Sequence, residues 1–374
     1  MLGGRGIPED ILKEILVWLP VKSLIRLKCA SKHLDMLIKS QAFITSHMIK
    51  QRRNDGMLLV RRILPPSTYN DVFSFHDVNS PELEEVLPKL PITLLSNPDE
   101  ASFNPNIVDV LGPCNGIVCI TGQEDIILCN PALREFRKLP SAPISCRPPC
   151  YSIRTGGGFG STCTNNFKVI LMNTLYTARV DGRDAQHRIH LYNSNNDSWR
   201  EINDFAIVMP VVFSYQCSEL FFKGACHWNG RTSGETTPDV ILTFDVSTEV
   251  FGQFEHPSGF KLCTGLQHNF MILNECFASV RSEVVRCLIE VWVMKEYGIK
   301  QSWTKKFVIG PHEIGCPFLF WRNNEELLGD NGDGQLASFV LHTNEIKTFE
   351  VYAKFFTLRA CLYKESLVSI RSAN

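Results

Sequence analysis

The sequence after residue 56 repeats a short unit, and this repeat restricts the fold more than any other feature. Each unit combines an apolar stretch, a polar turn and a second short stretch with an aromatic residue at its end. The units span residues 126–136, 189–199, 241–251, 289–303 and 337–349, and their starts are 63, 52, 48 and 48 residues apart. A period near 50 residues is typical of four-stranded propeller blades. The pattern predicts hairpins whose aromatic residues pack between neighbouring blades.

The two ends of this region look like parts of a single blade. Residues 361–370 resemble the inner half of a unit, as residues 114–120 do, whereas residues 57–76 resemble an outer half with no inner half before it. Pairing them would close the ring and remove two exposed edge strands. The sequence therefore predicts a propeller over 57–374 with about six blades, and seven or eight blades are the alternatives.

The first fifty residues have a helical pattern instead. Apolar residues recur at helical spacing in three groups, namely Ile11, Leu12, Ile15, Leu16 and Leu19, then Leu24 and Leu27, then Leu34, Leu37 and Ile38. Pro8 suits a first helical turn, Pro20 ends one helix and can open the next, and Ser31 can cap a third. The predicted fold class is mainly β, with a small all-α module of three helices over residues 1–50. Such a module is too small for a core of its own and must pack on the propeller or on a partner.

Charge and hydropathy exclude several classes of protein. The net charge is −1, but residues 1–56 carry ten Lys and Arg against five Asp and Glu, and the remainder carries 28 against 34. The propeller region is therefore acidic, at −6, which argues against nucleic acid and favours a basic partner. No apolar run reaches the ~18 residues of a membrane span, and the N-terminus lacks the apolar core of a signal peptide. We expect a cytoplasmic protein, with the nucleus as an alternative.

No motif indicates catalysis, a metal or a cofactor. The fourteen cysteines include no CxxC pair, so they are interpreted as reduced apolar residues. No Gly-Xaa-Ser-Xaa-Gly elbow is present, and residues 330–334 (DNGDG) lack the closing Glu of a calcium loop. A hairpin turn explains that segment better.

Several blocks in the first fifty residues resemble a plant F-box. They are residues 7–11 (IPEDI), 14–16 (EIL), 19–24 (LPVKSL) and 28–32 (KCASK), and the resemblance extends to Phe43 and His47. The sequence departs from the family's pattern at Ile7, where Leu is usual, and at Leu34, where Trp is usual. Residues 114–119 (CNGIVC), 130–136 (NPALREF) and 139–140 (LP) resemble the F-box-associated region of plants. Residues 28–32 and 363–370 (YKESLVSI) are most similar to the S-locus F-box proteins of self-incompatibility.

This resemblance implies a non-catalytic subunit of a ubiquitin ligase. Residues 1–50 would bind a Skp-type adaptor, which joins a cullin and a RING-box protein, and residues 57–374 would hold the substrate. In the S-locus group that substrate is a basic pistil S-ribonuclease, degraded in pollen. The predicted adaptor-binding residues are Pro8, Ile11, Ile15, Leu16, Leu19, Pro20, Leu24, Leu27, Leu37 and Ile38.

The residues that contact the substrate are predicted from charge alone. Glu84, Glu85, Asp330 and Asp333 lie in predicted loops, where we expect them to face a basic partner. The alternative for each is a solvated surface with no role in binding. The alternative for the whole chain is a stand-alone propeller that binds a protein or a glycan, and binding of a Skp-type adaptor distinguishes the two.

Overall fold

The computed structural model describes residues 8–51, 56–64, 71–80, 83, 85–87, 109–122, 125–144, 150–162, 166–177, 186–205, 207–209, 211–212, 219–231, 239–259, 266–283, 287–310, 314–354 and 357–371. Within these ranges, no helix is long and apolar enough to cross a membrane. The same ranges contain no group of three or more His, Cys, Asp or Glu side chains that could hold a metal ion. The nine cysteines whose side chains are described there are free thiols.

The N-terminal module contains four helices, which are α1 (Glu9–Leu16), α2 (Val21–Lys28), α3 (Lys32–Lys39) and α4 (Gln41–Gln51). Pro8 and Pro20 precede α1 and α2, and the Ser31 hydroxyl accepts a hydrogen bond from the Leu34 amide at 3.1 Å at the start of α3. These caps agree with the sequence pattern. The fourth helix differs from the predicted three. Its apolar residues are spread around the helix instead of forming one stripe, so periodicity does not reveal it.

The propeller strands follow the helices along the chain. They are β1 (Met57–Ile63), β2 (Asp71–Asp77), β3 (Glu85–Leu87), β4 (Asp109–Cys114), β5 (Ile117–Thr121), β6 (Ile126–Asn130), β7 (Glu135–Lys138), β8 (Cys150–Ser161), β9 (Phe167–Thr177), β10 (Gln186–Asn193), β11 (Ser198–Ile202), β12 (Val211–Val212), β13 (Leu220–Phe222), β14 (Ala225–Arg231), β15 (Val240–Asp245), β16 (Val250–Glu255), β17 (Leu266–Leu273), β18 (Cys276–Glu283), β19 (Leu288–Met294), β20 (Trp303–Ile309), β21 (Cys316–Trp321), β22 (Glu326–Asp330), β23 (Gln335–Val340), β24 (Ile346–Tyr352) and β25 (Arg359–Tyr363).

These strands form six sheets, which confirms the mainly β class and the six-bladed propeller. We number as blades 1 to 5 the sheets β4–β7, β8–β11, β12–β16, β17–β20 and β21–β24. In blade 3, the two short strands β12 and β13 both pair with β14. The first strands contact one another between blades, as β4 does with β8 and β25, and β21 does with β17 and β25. The first strands therefore surround the centre of the ring.

Each predicted unit is the outer hairpin of a blade. The five units begin in β6, β10, β15, β19 and β23, and each turns into the last strand of its sheet. In blades 1 to 3 the last residue of that turn has a positive φ, namely Arg134, Asp197 and Glu249. The polar turns of these blades thus share one left-handed position, which explains why the unit recurs in the sequence.

The aromatic residues of two units reach the preceding blade, as expected. Trp199 Nε1 donates to the Pro140 carbonyl at 2.7 Å, and Trp303 Nε1 donates to the Glu255 carbonyl at 3.1 Å. Phe136 is an exception, since it lies on the outer strand of blade 1 and is 41% exposed. These hydrogen bonds from the indole N–H groups fix the orientation of the two tryptophan rings between the blades.

Blade 6 joins the two ends of the chain. Its strand order is β25-β1-β2-β3, and the rungs include Leu59 opposite Cys361 and Arg61 opposite Arg359. The predicted closure is therefore correct, but the two ends of the chain do not each supply half of the blade, as was predicted. The C-terminal region supplies only the innermost strand, and the residues after Tyr363 leave the sheet. Closure still removes both edges of the ring.

The antiparallel strands give the propeller two distinct ends. Turns after the first and third strands of a blade open at one end, and the remaining turns and the connections between blades open at the other. Ala132 and Leu133, in a turn of the first kind, pack against the helical module. Asn115 and Gly116, in another such turn, line a cavity together with Met48 of α4. We call this end the helical end and the opposite one, which carries residues 139–144 and 331–334, the far end.

Candidate functional site

The interior of the helical module contains four of the predicted adaptor-binding residues. Leu16, Leu24, Leu37 and Ile38 are between 0% and 7% exposed and pack with one another. Leu19 and Leu27 are half-buried against the same core. A partner that docks on the surface does not reach Leu16, Leu24 and Ile38, so these three hold the helices together, whereas Leu37 also lines the groove described below.

An apolar stripe along α1 and the turn that follows it remains exposed. Ile11, Ile15 and Trp18 are 54%, 51% and 56% exposed, and they line one shallow cavity together with Leu19. Their spacing places them on one side of a helix. Contiguous exposed apolar residues mark interaction surfaces more often than scattered ones do. We call Ile11, Ile15 and Trp18 the α1 stripe.

A groove between α1, α3 and α4 lies beside this stripe. Its cavity volume is about 900 Å³, and the lining residues include Val17, Phe43, Met36 and Ile49. Met36 and Ile49 are 67% and 57% exposed. Apolar side chains thus border the groove on two helices, next to the α1 stripe.

Helix α4 holds Trp18, the last residue of the α1 stripe, in place. Lys50 Nζ, on α4, lies 4.6 Å from the centre of the Trp18 ring, a cation–π contact. His47 on the same helix is buried, and its Nε2 lies 2.9 Å from the Leu19 carbonyl oxygen. Burial lowers the pKa of His47, which favours the neutral ring. Helix α4 therefore holds the end of α1.

The C-terminal segment 364–370 attaches the module to the propeller. Leu367 is 2% exposed and packs inside the helical core. The Glu365 carboxylate accepts a hydrogen bond from the backbone N–H of Val21, the first residue of α2. Pro20, which precedes that helix, makes no side-chain cap. Glu365 thus supplies from the C-terminus the acceptor that the local sequence lacks.

The same segment is held on its other side by blade 1. The Asn130 side-chain amide donates to the carbonyl oxygens of Ser366, at 3.0 Å, and Val368, at 2.7 Å. The Glu135 carboxylate accepts from the Ser369 hydroxyl at 2.8 Å and from the Ile370 amide at 3.0 Å. Residues 130–136, which carried the family resemblance, therefore bind the C-terminal segment, which in turn packs against the helical module.

Gly116 has a role in the same contact. Its φ is +73°, and a Cβ at this position would lie 2.2 Å from the Ser366 Cβ and 2.9 Å from the Lys364 oxygen. Only glycine meets both requirements. The Asn-Gly pair of residues 114–119 is thus explained by the close approach of the C-terminal segment.

The predicted substrate residues do not form one surface. Glu84 and the side chain of Glu85 lie outside the described residues. Asp330 and Asp333 lie at the far end, where Asp333 is exposed. The expectation of an exposed Asp330 is wrong. This carboxylate is 2% exposed and accepts from the Gly332 amide at 2.9 Å, and burial raises its pKa.

The sequence analysis did not select three exposed apolar residues of the helical module. Trp18, Met36 and Ile49 face solvent, whereas several selected leucines face inward. A signal for Trp18 is present, because it lies seven positions after Ile11 and three after Ile15. Met36 and Ile49 become neighbours only through the packing of α3 and α4, which periodicity does not show.

Two protein families match this chain. Residues 6–45 match the F-box domain, and residues 63–370 match the F-box associated beta propeller domain. The F-box protein CPR1 of Arabidopsis thaliana is 24% identical over 374 residues, covering 92% of this chain and 84% of the relative. The F-box/kelch-repeat protein At3g23880 of the same plant is 22% identical over 325 residues, covering 82% and 80%.

Among solved structures, an oligogalacturonate lyase from Vibrio parahaemolyticus matches with a TM-score of 0.38. The identity is 8%, and the match covers 62% of each chain. A likeness of this size assigns no activity to the chain.

An F-box followed by a propeller defines the substrate-recognition subunit of a Skp–cullin–F-box ubiquitin ligase, in which the F-box binds the Skp-type adaptor. Such subunits are in general non-catalytic. The chain belongs to the family of plant F-box proteins that carry the F-box associated beta propeller domain.

Proposed function

We propose that the α1 stripe and the adjoining groove are the surface that binds the Skp-type adaptor. Ile11 and Ile15, both predicted from the sequence, are exposed there, and Pro8 lies exposed at the start of the same helix. The observation that carries the proposal is the exposure of three large apolar side chains on one side of α1. The cullin and the RING-box protein attach through the adaptor, and the proposed role of the chain itself is non-catalytic.

The far end of the propeller is the proposed surface for the protein substrate. The helical end is partly covered by α4 and by the contacts of Ala132 and Leu133. The connections between blades start and finish at the far end, and four of the six are eight residues or longer. Loops on a rigid scaffold commonly carry binding residues. A substrate held there stays accessible while the adaptor occupies α1.

The proposed substrate is a basic protein. Residues 57–374 carry 28 Lys and Arg against 34 Asp and Glu, and exposed acids at the far end include Asp204 and Asp333. Opposite charge speeds encounter more than it strengthens the final complex. A basic pistil S-ribonuclease, met in the pollen cytoplasm, is the finer proposal. This finer proposal rests on the acidic charge of the propeller and on the S-locus resemblance of residues 28–32 and 363–370. The Arabidopsis relatives named above do not add support for it.

A charge-reversal experiment tests the substrate surface. The full chain bound to its adaptor is mixed with a basic secreted ribonuclease, and association rates are measured at two salt concentrations. Asp204→Lys with Asp333→Lys should slow association and reduce its salt dependence. The matched control pair, Glu296→Lys with Glu345→Lys, changes the same charge at the helical end and should have little effect.

The outcomes separate the alternatives. Equal slowing by the control pair would show that the total charge of the propeller, and not a surface at the far end, governs association. An association rate that ignores both salt and charge would contradict electrostatic selection of a basic substrate. Failure of the full chain to bind any Skp-type adaptor would favour a stand-alone propeller that binds proteins or glycans.

A further inference from the structure

A cavity of about 400 Å³ lies at the centre of the propeller and has no part in the function proposed above. Its walls come from the first strands β4, β13, β17, β21 and β25, together with β1. Pockets of ~300–1,000 Å³ with mainly apolar walls and a few polar groups are typical small-ligand sites. The cavity therefore has the size and position of a binding site.

Most of the cavity wall is apolar. Phe221, Phe270, Phe318 and Phe320 line it from three different blades, and Val110 lines it from blade 1. Aromatic rings offer large surfaces to the apolar part of a ligand and do not favour a small inorganic ion. The walls thus predict a ligand with an apolar body.

Two arginines form the polar side of the cavity. Arg61 and Arg359 lie directly opposite each other on one rung between β1 and β25, and they are 5% and 9% exposed. Like charges on one rung repel each other. Lys364 adds a third cation to the lining, and Glu219 is the acidic residue among the described lining residues.

Existing carboxylates offset part of this positive charge. Arg61 Nε donates to Asp71 Oδ1 at 2.5 Å, and Arg61 Nη1 donates to the Thr357 carbonyl at 3.4 Å. Asp330 lies within electrostatic reach of Arg359. Glu219 accepts from the Phe159 amide at 3.0 Å. Arg359 Nη1 donates to the Leu358 carbonyl oxygen. Each guanidinium has five N–H donors in a planar fork.

We propose that the central cavity binds an organic carboxylate with an apolar body, whose carboxylate lies against Arg61 and Arg359. Arginine recognises a carboxylate through paired N–H···O bonds, and a bound anion offsets the repulsion on the arginine rung. The apolar part packs against the phenylalanine walls. Such a carboxylate comes either from a free small acid or from the C-terminal residue of a polypeptide.

The first test compares an acid with its amide on the full chain. The probes are 4-phenylbutyrate and 4-phenylbutyramide, titrated by ligand-detected NMR. The acid should bind at least ~10-fold more tightly, because hydrogen bonds to a charged group are the stronger ones. Equal affinities, or no saturable binding of the acid, would overturn the proposal.

Variants then locate the site. Arg359→Gln should remove the preference for the acid, whereas Arg188→Gln should not, since Arg188 pairs with Glu201 on blade 2, away from the cavity. Ile272→Trp provides a second variant in case Arg359→Gln does not fold. Ile272 lines the cavity and is 43% exposed, so a larger side chain there narrows the cavity at little cost to the core. Unchanged binding in folded Arg359→Gln or Ile272→Trp would contradict the assignment.

The source of the carboxylate is decided by peptides. A short apolar peptide with a free C-terminus is compared with the same peptide carrying a C-terminal amide. Tighter binding of the free peptide than of 4-phenylbutyrate identifies a polypeptide end, and binding of the small acid alone identifies a free acid. Adaptor binding by these variants should be unchanged, so a failure of this proposal leaves the proposed function standing.

Discussion

The side-chain amide of Asn130 donates a hydrogen bond of 2.7 Å to the carbonyl oxygen of Val368, which lies 238 residues later in the chain. Asn130 ends β6 in blade 1, and Val368 belongs to the C-terminal segment 364–370. That segment follows β25, the strand that closes the ring, and it packs Leu367 into the helical core. One buried amide thus links the closure of the propeller to the placement of the adaptor-binding helices.

Replacing Asn130 should weaken the whole chain. Asn130→Ala leaves the carbonyl oxygens of Ser366 and Val368 without this buried donor, and the free energy of unfolding should fall by about 3 kcal/mol. Denaturant titration measures this loss. Asn79→Ala is the control, because its amide bonds to the Asp77 carboxylate on the exposed surface, and it should cost less than about 1 kcal/mol. Similar losses of unfolding free energy in both variants would contradict the stabilising role that we assign to Asn130.

Gly116 should tolerate alanine less well than another glycine with the same backbone conformation. Gly116 and Gly224 have φ values of +73° and +82°, but a Cβ at Gly224 would meet nothing within 4 Å. Gly224→Ala should cost about 1 kcal/mol for the backbone alone. Gly116→Ala should cost about 2 kcal/mol more, because its Cβ would overlap Ser366. Equal melting temperatures would show that the C-terminal segment moves aside freely.

Glu365 should hold α2 through hydrogen bonding more than through charge. Burial raises the pKa of its carboxyl, so the charged form is disfavoured in the folded protein. The stability that this group contributes therefore falls as pH rises above the ordinary value of 4.5. Glu365→Gln keeps an acceptor for the Val21 amide and should preserve the slow hydrogen exchange of α2. Glu365→Ala should speed that exchange. If charge were the main contribution, Glu365→Gln would speed the exchange as much as Glu365→Ala does.

The interface between blades 3 and 4 should weaken in acid. His227 is buried with Nε2 2.6 Å from the Tyr297 hydroxyl, and burial lowers its pKa to about 4. Because an unfolded histidine titrates near 6.5, the unfolded chain takes up the proton first as pH falls. The contribution of His227 is complete above pH ~6.5 and declines by up to about 3 kcal/mol towards pH ~4.

Urea unfolding at several pH values between these limits measures that decline. His227→Gln has no titrating ring, so its stability should change less with pH than that of the wild type over this range. Parallel curves for the two proteins would show that other groups cause the acid sensitivity.

The sequence predicts the propeller well because its repeat is local. The units that begin at Ile126 and Ile189 are hairpins whose turns have one conformation, so pattern and structure coincide. The inner strands are less regular, and β12 and β13 divide one of them into two short pieces. In the closing blade, β25 supplies less than the predicted half because the residues after Tyr363 leave the sheet and pack against the helical module.

The candidate site is harder to predict, because exposure depends on packing between segments that are distant in sequence. Leu16 and Ile15 are adjacent on α1, but Leu367 and the other helices cover only Leu16. Asp330 looks like a loop acid in the sequence but is buried at the end of β22. Periodicity identifies the two sides of a helix, and only the fold decides which side a partner can reach.

Adaptor binding by three variants of the full chain tests the central claim most directly. Ile15→Asp places a charge on the α1 stripe, Leu16→Asp places one in the module's core, and Val308→Asp places one on an equally exposed site of blade 4. Affinity for a Skp-type adaptor is measured by calorimetry, together with the melting temperature of each variant. A buried carboxylate costs several kcal/mol, so Leu16→Asp should lower both stability and binding.

The account predicts that Ile15→Asp abolishes adaptor binding with an unchanged melting temperature, and that Val308→Asp binds like the wild type. Wild-type affinity in folded Ile15→Asp would contradict the assignment of the adaptor to the α1 stripe, and absence of binding by the wild-type chain would contradict the function itself.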